Sequence, residues 1–403
     1  MAQRSETSTG PGSHAKDTAT AGMTALLTCA MAFSMMQLFL IGALGPRLVD
    51  ELDVSPTELG LTTTVGFGAA ALLSPIGGRV VDRLGPRRCL IALLAASALA
   101  LALIGSAPGA WLLLVAVALG GLPQALANPA TNKAILASVP QARRGAVTGM
   151  KQSGVQWGAF AAGLPLAALA GAAGWRWAVW TAAAAAVVAA IWAARTLPPD
   201  GPPKSAQGPT SWVPRGTIAW LAAFSLLLGC GIASVNTYLA LYGTRKLGLG
   251  ATAAGALVAV LGVAGIVGRV AWSKVAGRPG RARWLPGGLA AGAVAAALLL
   301  AASTHAGALA WVAAVAVGVF AVSANAVSMV LVMHHAKPGR AGQASALVSA
   351  GFFTGFAIGP PLFGVLADAG RFGTGWLLVA AEFLGAGVVA MVWAVRERRE
   401  GAR

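Results

Sequence analysis

Charge is scarce in this sequence. Asp, Glu, Lys and Arg make up 10% of its 403 residues, hydrophobic residues make up 57%, and the mean hydropathy is +0.74. That balance points to a chain that lives in lipid. Cysteine is rarer still: Cys29, Cys89 and Cys230 form an odd set, each within or beside an apolar run, so they imply packing and neither a disulfide framework nor redox work. No P-loop, zinc motif, nucleophile elbow or dinucleotide fingerprint occurs, which excludes the usual enzymes and a nucleotide-driven pump, and no cofactor is expected. The pair His334-His335 diverges on a helix with no third ligand near, so no metal site is expected. Nucleic acid is also excluded despite a net charge of +17, because the basic residues are scattered between apolar runs with no aromatic-interleaved basic domain.

What is there is a succession of apolar runs long enough to cross hydrocarbon. Breaks at Gly, Pro and charge clusters predict twelve spans, at 22–49, 56–80, 88–107, 110–136, 144–170, 174–195, 216–242, 251–275, 284–303, 306–332, 342–367 and 374–395. The fold class expected is an all-α polytopic membrane protein. Residues 1–21 are polar, with Glu6, His14, Lys16 and Asp17, and read as a disordered tail without the character of a cleaved secretory signal. A six-helix unit at 22–195 and another at 216–395 flank a Pro-rich linker at 196–215, and a tail follows at 396–403. Ser55-Pro56-Thr57-Glu58 reads as a capping box that starts the second helix.

Orientation follows from the basic residues. With the amino terminus inside, tails and loops on that side hold 21 of the 29 Lys and Arg, against 5 on the other side, the remainder being Lys133, Lys151 and Arg269. Both termini are therefore expected in the cytoplasm, in a multi-pass protein of the cytoplasmic membrane.

The two halves repeat. Gly78-Arg79-Val80-Val81-Asp82-Arg83-Leu84-Gly85-Pro86-Arg87-Arg88 has a worn copy 195 residues later, where Arg278, Gly280 and Arg283 match Arg83, Gly85 and Arg88. At the same offset Leu247, Leu249, Thr252 and Gly255 match Leu52, Val54, Thr57 and Gly60. Arg340, Phe356, Gly359 and Pro361 match Arg144, Phe160, Gly163 and Pro165 at an offset of 196, and Asn325 matches Asn128 at 197. A duplicated helical half with a basic loop in each copy is the mark of a secondary transporter whose substrate site lies between the halves.

With six helices on each side of a linker, the loop signature and the Gly174-Trp175-Arg176-Trp177 run before the sixth helix, residues 22–395 resemble the major facilitator superfamily. The resemblance implies two pseudo-symmetric six-helix bundles and a latch between them at Gly78, Asp82, Arg83, Gly85 and Arg87, residues that tune alternating access and do not touch substrate. The alternative is a tight turn with topology-setting charge. The second copy departs from the pattern, with Ser273 at the first Gly position and Gly277 at the Asp position, so a matching latch there is in doubt.

Repetition also exposes what is not repeated. Lys151 falls opposite Leu347 and Arg269 opposite Ser74, so neither charge belongs to the common scaffold. Each lies two helical turns from its loop, at similar depth. In the resembled fold the fifth and eighth helices face each other, so the pair would converge on one anion. An Arg at this place in the eighth helix is also similar to the one that the monocarboxylate and oxalate/formate branches use for carboxylate, and cyanate-type carriers are a further anion branch of this kind. A guanidinium fork and an ammonium suit a carboxylate. The competing reading is that both side chains snorkel to the interface, as is expected of Lys133 at the end of its helix. Polar groups on helices that line the cavity in that fold are Gln37, Gln124, Asn128 and Asn132 (the last three at i, i+4, i+8), Gln152, Gln156, Asn236, Tyr238, Tyr242, Ser323, Asn325 and Ser328; as an alternative, such groups simply bond neighbouring helices.

Glu382 is the one acid well inside a predicted span. The first helix has no Asp or Glu and the fourth no Arg of the kind that the family's proton-coupled drug exporters carry. The function expected is secondary transport of a small organic anion by proton symport or exchange. Efflux of amphipathic compounds is the alternative. Substrate, bilayer and a coupling proton are the expected partners, and a monomer suffices.

Overall fold

A computed structural model describes residues 11–52, 56–201, 213–278 and 282–400. Twelve helices long and apolar enough to cross a membrane are found among them. We number them α1 (Pro11–Leu52), α2 (Pro56–Leu84), α3 (Pro86–Gly105), α4 (Ala110–Ser138), α5 (Gln141–Ala173), α6 (Trp175–Thr196), α7 (Thr217–Arg245), α8 (Ala251–Ala276), α9 (Leu285–Ala302), α10 (Leu309–His335), α11 (Ala341–Asp368) and α12 (Phe372–Glu400). Helix α2 begins at the Pro expected to lead it, while Ser55 and the side chain of Glu58, the other parts of the expected capping box, lie outside the described residues. Helix α1 starts at Pro11, inside the stretch expected to be a disordered tail, because hydropathy reports only the part of a helix that crosses lipid.

Two helices change pitch. A π turn at Ala162–Leu166 in α5 contains Pro165, whose missing N–H removes a regular bond. A second, at Val317–Val322 in α10, has no proline, and π turns of that kind gather at functional sites.

Each half has its own apolar core. One gathers mainly side chains of α1, α3, α4 and α6, joined by Met333 of α10, and the other mainly those of α7, α9, α10, α11 and α12, joined by Met35, Phe67 and Ala70 of the first half. Large exposed side chains such as Leu72, Trp111, Val188 and Val365 lie on the outside, as a lipid-facing surface requires. The Gly174-Trp175-Arg176-Trp177 run ties the ends of three elements together. Trp175 Nε1 donates to Glu51 at 2.8 Å, Arg176 sits 4.4 Å from the centroid of the Trp175 ring, and its Nη2 donates to the Ala107 carbonyl at 3.0 Å.

The halves meet along two seams, α2 against α11 and α5 against α8, with α4 also touching α11. Both seams are tight at the end where α1 begins and α12 ends, the terminal side. A Cβ on Gly78 would lie 2.5 Å from Ala346 Cβ, and one on Gly149 would lie 2.6 Å from the Arg269 carbonyl oxygen. Toward the far end Gly163 of α5 and Gly255 and Gly262 of α8 meet nothing within 4 Å. The α5–α8 seam is closed on the terminal side and loose on the other.

Candidate functional site

At the tight end of the first seam, Asp82 closes the last turn of α2. Its Oδ1 accepts from the Gly342 amide at 2.9 Å and its Oδ2 from the Gln343 amide at 2.8 Å, both in the first turn of α11, in the other half. A carboxylate on two orphan amides at a helix start is a cap, stabilised by the partial positive charge there. Lys133 of α4 supports it. Its Nζ donates to the carbonyls of Val81 (2.9 Å) and Asp82 (2.8 Å) and lies 3.4 Å from the Asp82 carboxylate. Lys133 thus caps the end of α2, where sequence reasoning had it reaching for the interface. Gly78 allows the close approach, and Gly85, at φ +97°, turns the chain into α3.

The remaining loop residues act within one half. Arg87 Nη2 donates to the Ala194 carbonyl at 2.5 Å, and the amides of Arg87 and Arg88 donate to Asp200 at 3.1 and 2.8 Å. The first linker residues are therefore pinned to the start of α3. Arg83 is exposed and sits outside this bonding.

A different chemistry occupies the second seam. Lys151 of α5 is completely buried and Arg269 of α8 is 4% exposed, so neither side chain snorkels to the interface. Lys151 Nζ donates to Thr131 Oγ1 at 2.7 Å and to Asn128 Oδ1 at 3.2 Å, both on α4. Gln152 Nε2 donates to the same Asn128 oxygen at 3.0 Å, and Asn128 Nδ2 donates to Ser349 Oγ of α11 at 2.9 Å. One turn on, Asn132 Nδ2 donates to Ser345 Oγ at 2.8 Å. Arg269 Nη1 donates to the Gln152 carbonyl across the seam, and its Nε donates to the Val322 carbonyl at 3.2 Å, at the end of the π turn of α10. Two cationic side chains thus share one buried polar network drawn from α4, α5, α8, α10 and α11.

Among the described residues no carboxylate lies within 4 Å of either cation. Unpaired charge at membrane depth costs about 2.5–3.5 kcal/mol on insertion scales. Neutral acceptors lower that cost.

The other residues singled out from the sequence fall into two groups. Gln37, Gln124 and Asn325 are buried. Gln37 Nε2 donates to the Gly120 carbonyl at 2.9 Å, whereas both amide atoms of Gln124, Asn325 Oδ1 and Gln156 Oε1 have no hydrogen-bond partner among the described residues. Asn236 and Tyr238 are not part of this cluster. Asn236 is exposed, and Tyr238 stacks on Phe363 with centroids 4.7 Å apart. Tyr242 is likewise spent inside its own half, on Ser303 at 2.8 Å. Thr131, Ser345 and Ser349 went unnoticed in the sequence, although Ser345 and Ser349 share the i, i+4 spacing that exposed the α4 amides.

The family model described as Major Facilitator Superfamily matches residues 26–348. No curated protein sequence matches the chain. Among solved structures, that of the human organic anion transporter MFSD10 (TETRAN) is similar over 92% of this chain and 99% of its own, with a TM-score of 0.77 at 12% sequence identity, which carries the fold alone. The family match over most of the chain, with twelve helices in the fold of a solved transporter, shows that this multi-pass membrane protein belongs to the major facilitator superfamily of secondary transporters and is not an enzyme.

Proposed function

We propose that this transporter moves a small, carboxylate-like organic anion across the cytoplasmic membrane by alternating access, with both termini in the cytoplasm and the anion accompanied by a proton or exchanged for another anion. The observation that carries the reading is the burial of Lys151 and Arg269 on facing sides of the α5–α8 seam with no carboxylate near either among the described residues. Lys151, Arg269, Asn128 and Gln152 are the substrate-binding core of this reading, and Gln37, Gln124, Gln156 and Asn325 its surroundings. The six-helix halves act as the two rocking units, and a monomer suffices.

Arg269 gives the reading a mechanism. Its guanidinium bonds one backbone carbonyl in each half, at Gln152 and Val322, and so braces the closed seam. A carboxylate is a stronger acceptor than a carbonyl and takes a guanidinium fork two bonds at a time. An anion entering from the loose end draws Arg269 off those carbonyls, the brace is lost, and the tight end is freed to open. The same residues run the cycle backwards for exchange.

Uptake of radiolabelled short carboxylates into proteoliposomes under an inward proton gradient tests this. Saturable uptake that disappears in Arg269→Met and Lys151→Met supports the reading. Uptake that survives both substitutions, or transport confined to cationic amphipathic compounds, overturns it in favour of efflux.

A further inference from the structure

The polar groups of α4 continue beyond the cation network, and they change character. Gln124 lies one turn, about 6 Å, from Asn128 on the same face, and Gln37 of α1 lies over Gly120, one turn further still. Both glutamines are fully buried. Gln124 leaves both its Nε2 and its Oε1 without a partner among the described residues, and Gln37 leaves its Oε1. A buried amide left unmatched costs about 1–3 kcal/mol, so two such side chains beside a cationic site point to a ligand group that donates and accepts. The charge inventory limits what that group is. Besides Lys151 and Arg269, the only buried Asp, Glu, Lys or Arg among the described residues is Glu382, on α12, whose Oε2 has no hydrogen-bond partner among them. Among the described residues no further buried cation stands at the glutamine end to meet a second carboxylate.

We propose that the substrate is a bifunctional monoanion. Its carboxylate sits at Lys151 and Arg269, and a neutral hydroxyl, carbonyl or amide a few carbon atoms away sits at Gln124 and Gln37. The assignment rests on the anion-binding reading above and narrows it: unfunctionalised monocarboxylates lack the second pole, and dicarboxylates would bury an unpaired charge there.

Three four-carbon probes separate the cases: butyrate, 4-hydroxybutyrate and succinate, each titrated against purified full-length protein by calorimetry. We expect 4-hydroxybutyrate to bind about three- to tenfold more tightly than butyrate, the range for one neutral hydrogen bond, and succinate to bind most weakly. In Gln124→Met, of nearly the same shape, the ratio of 4-hydroxybutyrate to butyrate affinity should fall toward one, and Gln37→Met should lower it in the same direction. The ratio is read within each variant, so a general loss of stability does not imitate the effect. Equal binding of butyrate and 4-hydroxybutyrate, tightest binding of succinate, or an unchanged ratio in both variants overturns the assignment while leaving the cation site intact. If none of the three binds in a manner that depends on Lys151 and Arg269, the anion-binding reading fails and takes this one with it.

Discussion

The two seams that join the halves are related by the internal repeat, yet they are closed by opposite means. At α2–α11 a carboxylate, Asp82, reaches across to two amides at the start of α11. At α5–α8 the position matching Asp82 is Gly277, which lies against Gly145 at the tight end, and the charged groups are two cations buried deeper in. Helix starts explain the difference. Residue 341, where α11 begins, matches residue 145 at the repeat offset of 196, but α5 already begins at Gln141. The amides that a carboxylate at 277 would seek are therefore spent within the helix. One seam is closed by a carboxylate cap and the other by glycine contacts with two buried basic side chains behind them, and a four-residue difference in one helix start separates the two.

That contrast can be broken in graded ways. The largest effect should come from the buried basic pair: on the proposed function, Arg269→Met or Lys151→Met should lower anion affinity at least tenfold, since a hydrogen bond to a charged group contributes about 1.5–3 kcal/mol, as read by direct binding titration. Next is the glycine seam. A Cβ at 145 runs into the Ser273 carbonyl, so Gly145→Ala should destabilise the closed form by about 1–3 kcal/mol, seen as a lowered midpoint of thermal unfolding. Asp82→Asn removes a charged cap and turns one of two acceptors into a donor. It should cost about 1–2 kcal/mol and speed hydrogen exchange at the Gly342 and Gln343 amides, whereas exchange near Gly145 should hardly change. Gly277→Asp sharpens the comparison, because the account expects no compensating latch in that seam and therefore no added exchange protection in the first turns of α5. Smallest of all is Arg83→Ala, at an exposed side chain outside the latch, which should stay within about 0.5 kcal/mol of the parent. A large effect there would mean that the loop signature acts through charge, beyond the Asp82 cap.

Much of this was legible in the sequence because lipid imposes a simple pattern. Twelve apolar runs gave twelve helices, and the repeat offset marked Lys151 and Arg269 as odd members in a symmetric scaffold. Their partners were harder to see. Thr131 and Ser349 are small polar residues of a kind common in membrane helices, and only the packing of α4 against α5 and α11 makes them part of the network. The Val322 carbonyl is set by a π turn whose residues, Val317-Gly318-Val319-Phe320-Ala321-Val322, carry no signal of it. The Asp82 cap joins positions 260 residues apart in the chain, and Lys133 belongs to that cap through a register that hydropathy does not fix. Asn236 and Tyr238 lie elsewhere on α7, the first exposed and the second stacked on Phe363, outside the bonding that joins α4, α5, α8, α10 and α11.

The central claim is that the buried cation pair is there to receive an anion, and thermal unfolding of purified protein with and without short carboxylates tests it most directly. At a hundredfold excess over its dissociation constant a bound ligand stabilises by about 2.7 kcal/mol. The account predicts that shift for the parent chain and its loss in both Lys151→Met and Arg269→Met. Equal stabilisation of the parent and the two variants, or none by any carboxylate, would contradict it.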